Sequence, residues 1–303
     1  MDAEVDMVGR TQAARRARGA LAVALSAAAF GAMPIFARQA YAAGVDLIGI
    51  LVPRFALAAV VLALFAWRSG ARRPTRGQTL ALVALGGIGY VTQSFFYFTA
   101  LQHASAGLVA LLLYAFPFIV AVLAAIFLRE RLSARRVAAL VVASGGLALT
   151  IGGGQGSALG VALGLGAALV YSVYIVAGTR VMREVDPLAA SAVVCAAAAA
   201  SYTLLALGRN ALGLPVQMPQ DAAGWLNVGA IALVSTVVAI AAFFYGLKRL
   251  GASLTSVLST LEPVVSVLLA ATVLGEAVTP MQAFGGALVI GTAIWLALDQ
   301  RDG

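Results

Sequence analysis

Residues 117–130 read PFIVAVLAAIFLRE, and residues 263–276 read PVVSVLLAATVLGE. Each stretch opens on a proline inside an apolar run and closes thirteen positions later on a glutamate, Glu130 in the first and Glu276 in the second. Sliding the chain against itself by 146 positions aligns the two stretches without a gap, and the same offset matches Phe98, Leu101, Ala106, Leu108, Leu112 and Gly145 with identical residues downstream. Leucine and alanine matches are cheap in this composition; a proline and a glutamate at fixed spacing are not. The chain therefore carries an internal repeat, and its fold turns on how many membrane crossings each copy holds.

Of 303 residues, 62% are hydrophobic and 11% charged, whereas a soluble domain carries about 25% charged residues. A helix needs about 20 apolar residues to cross a bilayer, and ten such stretches are spread along the chain: 19–40, 46–67, 78–99, 105–128, 133–151, 158–179, 187–208, 224–246, 253–274 and 280–298. Barrel strands alternate in polarity and are short, so these long apolar runs read as helices. The expectation is an all-α membrane protein with ten transmembrane helices. Five spans per copy is an odd number, so the second copy enters the membrane in the opposite sense. That gives two inverted-topology five-helix repeats, 19–151 and 158–298, with 1–18 as a cytoplasmic N-terminal segment and 299–303 as a cytoplasmic C-terminal tail.

The basic residues set the orientation. Of the 20 lysines and arginines, seventeen collect on one side of the expected membrane; Arg38 and Arg209 fall on the other, and Arg54 lies within a span. This split across alternating loops places both termini in the cytoplasm. Trp67 and Trp225 stand near span ends, where indole rings anchor to the interface. The net charge of +8 follows from this punctuation and not from a phosphate-binding patch, so no nucleic acid partner is expected.

Several chemistries are removed by composition. There is one cysteine, Cys195, and one histidine, His103, too few for a disulfide frame, a metal centre, haem or an iron–sulfur cluster. No recognisable motif pairs a serine with that histidine, and an aspartyl site lacks intramembrane aspartates. The sole lysine, Lys248, does not follow a glycine-rich loop, so no nucleotide-driven motor is expected. The chain reads as neither an enzyme nor a cofactor-binding protein.

What remains is a set of polar and aromatic groups inside the spans. Tyr90, Gln93, Ser94 and Tyr97 recur at positions 0, 3, 4 and 7 of span three and so share one helix face. Tyr114 in span four, Tyr171 and Tyr174 in span six, and Ser235, Thr236 and Tyr245 in span eight add hydrogen-bonding groups with apolar ring surface. Together they suit a pocket for a small, neutral, amphipathic solute, although interhelical hydrogen bonding accounts for any one of them singly. Two ionisable groups, Arg54 and Glu262, sit near mid-depth, about 12 and 14 Å from their span ends at 1.5 Å per residue. Glu262 is read either as a proton-coupling or ammonium-binding group or as a structural tie for freed backbone, and Arg54 as a functional or a structural ion. Pro117 and Pro263, equivalent under the repeat, are read as hinges or as static kinks. The glycines of span three, Gly86, Gly87 and Gly89, read as loosened backbone.

The Arg54-Phe55 pair, the Ser105-Ala106-Gly107 start of span four, and above all Leu261-Glu262-Pro263 through Gly275-Glu276 resemble the EamA-type transporters of the drug/metabolite transporter superfamily. The resemblance covers nearly the whole chain and points to bacterial exporters of aromatic and other neutral amino acids. It implies helices one, three, four, six, eight and nine around a central cavity. Family members often carry Glu-Pro in span four as well; here Phe116 stands in that place.

The function expected is therefore a secondary transporter of the bacterial inner membrane, acting as a monomer. It would export small metabolites, neutral or aromatic amino acids foremost, by alternating access. Efflux of drugs or other metabolites is the rival within the superfamily. A channel or assembly subunit is the rival outside it, and it would require a continuous polar stripe through several spans, which the sequence lacks.

Overall fold

The structure, a computed structural model, describes residues 2–103, 112–113, 115–129, 133–151, 157–274 and 279–299. Among these residues every regular element is helical: α1 (Asp2–Gly31), α2 (Met33–Ala42), α3 (Leu47–Arg68), α4 (Arg76–Ala84), α5 (Val91–His103), α6 (Phe116–Leu123), α7 (Ala134–Ile151), α8 (Ala158–Met182), α9 (Pro187–Ala211), α10 (Ala222–Ala232), α11 (Ala239–Leu250), α12 (Ala252–Ser259), α13 (Leu261–Leu274) and α14 (Pro280–Asp299). Three π-helical turns complete them. Leu85–Tyr90 joins α4 to α5, Ala124–Leu128 follows α6, and Leu233–Val238 joins α10 to α11.

Helices start where a short polar side chain satisfies the first free N–H groups. Asp46 accepts from the Gly49 amide (2.7 Å), Ser157 from Gly160 (3.2 Å), Asp186 from Leu188 (2.9 Å) and Asp221 from Gly224 (2.7 Å). Thr75 and Gln78 form a reciprocal capping box at the head of α4. Between these caps the runs are almost wholly apolar. Among the described residues six segments are long and apolar enough to cross a membrane: Ala14–Ala42, Leu47–Arg68, Arg76–Tyr97, Ala158–Met182, Pro187–Ala211 and Ala222–Leu250. They fall on the spans expected at 19–40, 46–67, 78–99, 158–179, 187–208 and 224–246. Shorter apolar helices, Ile119–Leu128, Val137–Gly146 and Ala283–Thr292, lie within the expected spans at 105–128, 133–151 and 280–298. The span expected at 253–274 is occupied by α12 and α13.

Helix continuity fails beside prolines, which lack an amide donor and crowd the preceding turn. α1 gives way to α2 at Ala32, two residues before Pro34; α6 begins after Ala115, two before Pro117; and α12 gives way to α13 at Thr260, three before Pro263. Pro53, by contrast, is carried inside α3 without an interruption.

The broadest helix contacts are α3 with α9, α7 with α14, α1 with α11 and α5 with α8. Close approach depends on absent side chains. A Cβ on Gly246 would stand 2.2 Å from Val23 Cγ2, and one on Gly86 would stand 2.3 Å from the Val194 carbonyl oxygen of α9. Gly87 likewise packs on α9, its carbonyl accepting from the Ser201 hydroxyl at 3.2 Å. The span-three glycines read as loosened backbone thus include two pressed into a helix contact. Outside, leucines and valines such as Leu21, Val60, Leu80, Leu204 and Leu226 stand open, and Trp67 and Trp225 are exposed near helix ends. An apolar exterior over a packed interior fits lipid as solvent and not water.

Candidate functional site

A cation is buried in the interior. Arg54, on α3, is 2% exposed. Its Nε donates to Thr236 Oγ1 at 2.6 Å, and its Nη2 donates to the Tyr90 hydroxyl at 3.2 Å. The guanidinium carbon lies 4.7 Å from the centre of the Phe55 ring, within cation–π range. The Thr236 hydroxyl in turn donates a hydrogen bond to the Ile231 carbonyl five residues back, at 2.8 Å, a reach that the wider π-turn at Leu233–Val238 provides. Tyr90 closes another of the π-turns, Leu85–Tyr90. Extra residues in a helix turn re-aim the side chains that follow, which is why such turns gather at functional sites. Ser235, beside Thr236, is fully buried, and its hydroxyl has no hydrogen-bond partner among the described residues.

Aromatic rings extend outward from this cation. Phe55 meets Tyr90 edge-on at 5.3 Å and stacks on Tyr202 at 5.7 Å; Tyr90 meets Tyr174 at 5.8 Å. Tyr174 in turn contacts Tyr171 at 6.1 Å and Phe244 at 6.2 Å, and Tyr171 meets Phe116 at 4.9 Å. The ladder joins α3, α5's preceding turn, α6, α8, α9 and α11. Its rungs on Phe55, Phe116, Tyr202 and Phe244 were hidden in the sequence, where phenylalanine spacing in an apolar helix is the same for core packing as for a pocket wall.

The expected span-three face is partly interior. Tyr90 and Ser94 are buried, while Gln93 and Tyr97 are half-buried; the Ser94 hydroxyl reaches Gln93 Oε1 at 3.5 Å. Tyr202 brings its hydroxyl toward Ser94. Glu262, in the first turn of α13, is half-buried and lies within electrostatic reach of Tyr90, Tyr97 and Tyr171. Its backbone turn is held against α1: the Ser266 hydroxyl is 2.9 Å from the Gly31 carbonyl and 3.2 Å from the Glu262 carbonyl. A Cβ on Gly31 would stand 2.7 Å from that same Glu262 oxygen. Pro263 is buried next to it.

Tyr245 is placed apart from this group. It lies in the last turns of α11 with the Arg249 guanidinium 3.4 Å over its ring. Pro117 lies in the first turn of α6. Tyr114 lies outside the described residues, as do Glu130, Glu276 and the Ser105-Ala106-Gly107 stretch. Among the described residues no group of three or more histidine, cysteine or acidic side chains is arranged to hold a metal ion.

The family described as EamA-like transporter family matches residues 17–152 and again residues 158–298. A protein of Streptantibioticus cattleyicolor named "probable terminal-alkyne amino-acid exporter" is 29% identical over 257 residues, covering 82% of each chain. The aromatic amino acid exporter YddG of Ancylobacter novellus is 31% identical over 217 residues, 69% of this chain and 72% of that one. One solved crystal structure superposes with a TM-score of 0.80 at 25% identity, covering 94% of this chain and 98% of the other.

Proposed function

The chain belongs to the EamA-like transporter family, a membrane transport family of the drug/metabolite transporter superfamily, and from that premise we propose that it exports neutral or aromatic amino acids across the bacterial inner membrane. It does so as a monomer of ten transmembrane helices, by alternating access between inverted halves at 19–151 and 158–298, with both termini in the cytoplasm. The observation that carries the reading is the pairing of helices. Each of the four broadest contacts joins one helix of the first half to one of the second, and exchanging the halves turns the α1–α11 contact into the α8–α5 contact. That is the arrangement expected of two halves related by a two-fold axis in the membrane plane.

Substrate class is supported by two things: the relatives that bear amino-acid exporter names, and the aromatic ladder, whose tyrosines offer ring surface and hydroxyls to one ligand. Tyr90, Gln93, Ser94, Tyr97, Tyr171 and Tyr174 line the path in this reading. Glu262 meets the substrate ammonium or a coupling proton, and the breaks ahead of Pro117 and Pro263 let the halves rock. The test is flux in proteoliposomes of a panel of radiolabelled amino acids, with and without an imposed pH gradient, for wild type and Glu262→Gln. Flux of neutral or aromatic amino acids that loses its pH drive in Glu262→Gln fits the proposal. Movement of lipophilic cations with no amino acid flux removes the substrate assignment, and full pH-driven flux in Glu262→Gln removes the coupling role.

A further inference from the structure

Arg54 is a buried charge. Among the described residues no carboxylate forms an ion pair with it; its bonded partners are two neutral hydroxyls, and the nearest π-face is Phe55. A guanidinium has five N–H donors, and two are committed, Nε to Thr236 and one Nη2 hydrogen to Tyr90. Nη1 donates to no described group. Taking a lone cation out of water carries a heavy penalty unless an anion and hydrogen bonds replace the hydration shell. Among the described residues no carboxylate stands at bonding distance from the guanidinium to serve as that anion. A planar fork with free donors is suited to a carboxylate, which it receives in two parallel bonds.

The surroundings strengthen the case. The two hydroxyls that hold the guanidinium come from π-turns in different halves, so its plane is fixed by both. Ser235, in the same turn as Thr236, contributes a fully buried hydroxyl with nothing described to bind. Tyr90 is bonded to Arg54 and lies within electrostatic reach of Glu262.

We infer that the Arg54 guanidinium, clamped between Tyr90 and Thr236, is the receptor for the substrate's carboxylate. The inference rests on the amino-acid reading above and deepens it. Binding of a carboxylate there neutralises the buried charge, so the substrate is held by the group that ties the two halves together.

The test uses purified full-length protein and three probes of one skeleton, read by calorimetric affinity: L-phenylalanine, phenethylamine, which lacks the carboxylate, and 3-phenylpropanoate, which lacks the ammonium. Wild type binds phenylalanine about tenfold or more tightly than phenethylamine, the scale of one charge-assisted contact. Arg54→Gln weakens phenylalanine and 3-phenylpropanoate by a similar factor while leaving phenethylamine within about twofold, and Arg54→Lys recovers part of the loss. Equal weakening of all three probes, or a carboxylate preference that survives in Arg54→Gln, overturns the inference while leaving amino acid export in place. Should Arg54→Gln fail to fold, the wild-type preference alone decides: equal affinity for phenylalanine and phenethylamine overturns it. No phenylalanine binding by wild type removes the amino-acid reading and the inference with it.

Discussion

Tyr90 and Thr236 stand 146 positions apart, the offset that superimposes Pro117 on Pro263, and their hydroxyls accept hydrogen bonds from the same guanidinium, Nη2 of Arg54 at 3.2 Å and Nε at 2.6 Å. Shifted by that offset, the π-turn at 85–90 overlaps the one at 233–238. Matching distortions in the two copies therefore converge on a single side chain from α3. Thr236→Val keeps the shape and deletes the acceptor, leaving Arg54 Nε and the Ile231 carbonyl without their partner. The expected cost is about 1–3 kcal/mol, read as a lowered unfolding temperature in detergent, with Thr236→Ser recovering most of it. An unchanged unfolding temperature in Thr236→Val would mean that the clamp does not matter to stability.

Glycine substitutions separate contact from open space. Gly86→Ala drives a methyl to 2.3 Å from the Val194 backbone oxygen, and backbone has no rotamer by which to yield. A loss of about 1–3 kcal/mol or more is expected. Gly208, near the C-terminal end of α9, has nothing within 4 Å of a built Cβ, so Gly208→Ala is expected to be neutral or to stabilise by up to about 1 kcal/mol. Side-by-side thermal unfolding of the two variants checks the contrast.

The proline breaks have a kinetic signature. Pro263→Ala restores an amide donor behind Thr260 and favours continuous helix through α12 and α13. If rocking depends on that break, the variant binds L-phenylalanine with wild-type affinity but transports it severalfold more slowly. Flux and equilibrium binding measured on one preparation discriminate: loss of both together points to damaged packing, and loss of neither makes the break a static kink.

Topology can be read chemically. In a Cys195→Ser background, which removes the only native thiol, Ser69→Cys and Leu214→Cys place single thiols on exposed residues after α3 and after α9. A membrane-impermeant maleimide added to intact cells is expected to label the second and not the first. Labelling of both from one side contradicts the inverted arrangement.

Much of the fold was legible because apolar length and helix caps are local signals. α3, α8 and α9 run between Asp46, Ser157 and Asp186 and the basic residues that close them, and their bounds fall within a few residues of the expected spans. The π-turns were not legible, since no residue type marks a wider turn; Gly86 read as slack when α9 presses against it. In the site, Arg54, Tyr90 and Thr236 were each visible as costly or polar groups in lipid, on three separate spans. Only the packing of α3 between the two π-turns brings them within bonding distance. Tyr245 carries the same sequence signal as Tyr174, yet its neighbour four residues on, Arg249, takes its ring. Phe55 and Tyr202 look like core in any helical pattern, and their stacking at 5.7 Å appears only when α3 meets α9.

Alternating access is tested most directly by spin-label distances at the two ends of the bundle. One doubly labelled protein carries Ala42→Cys and Leu212→Cys, at the ends of α2 and α9; the other carries Ser69→Cys and Arg183→Cys, after α3 and α8, both in the Cys195→Ser background. Saturating L-phenylalanine is predicted to lengthen one distance and shorten the other. Two distances that stay fixed, or that move in the same direction, would contradict the account.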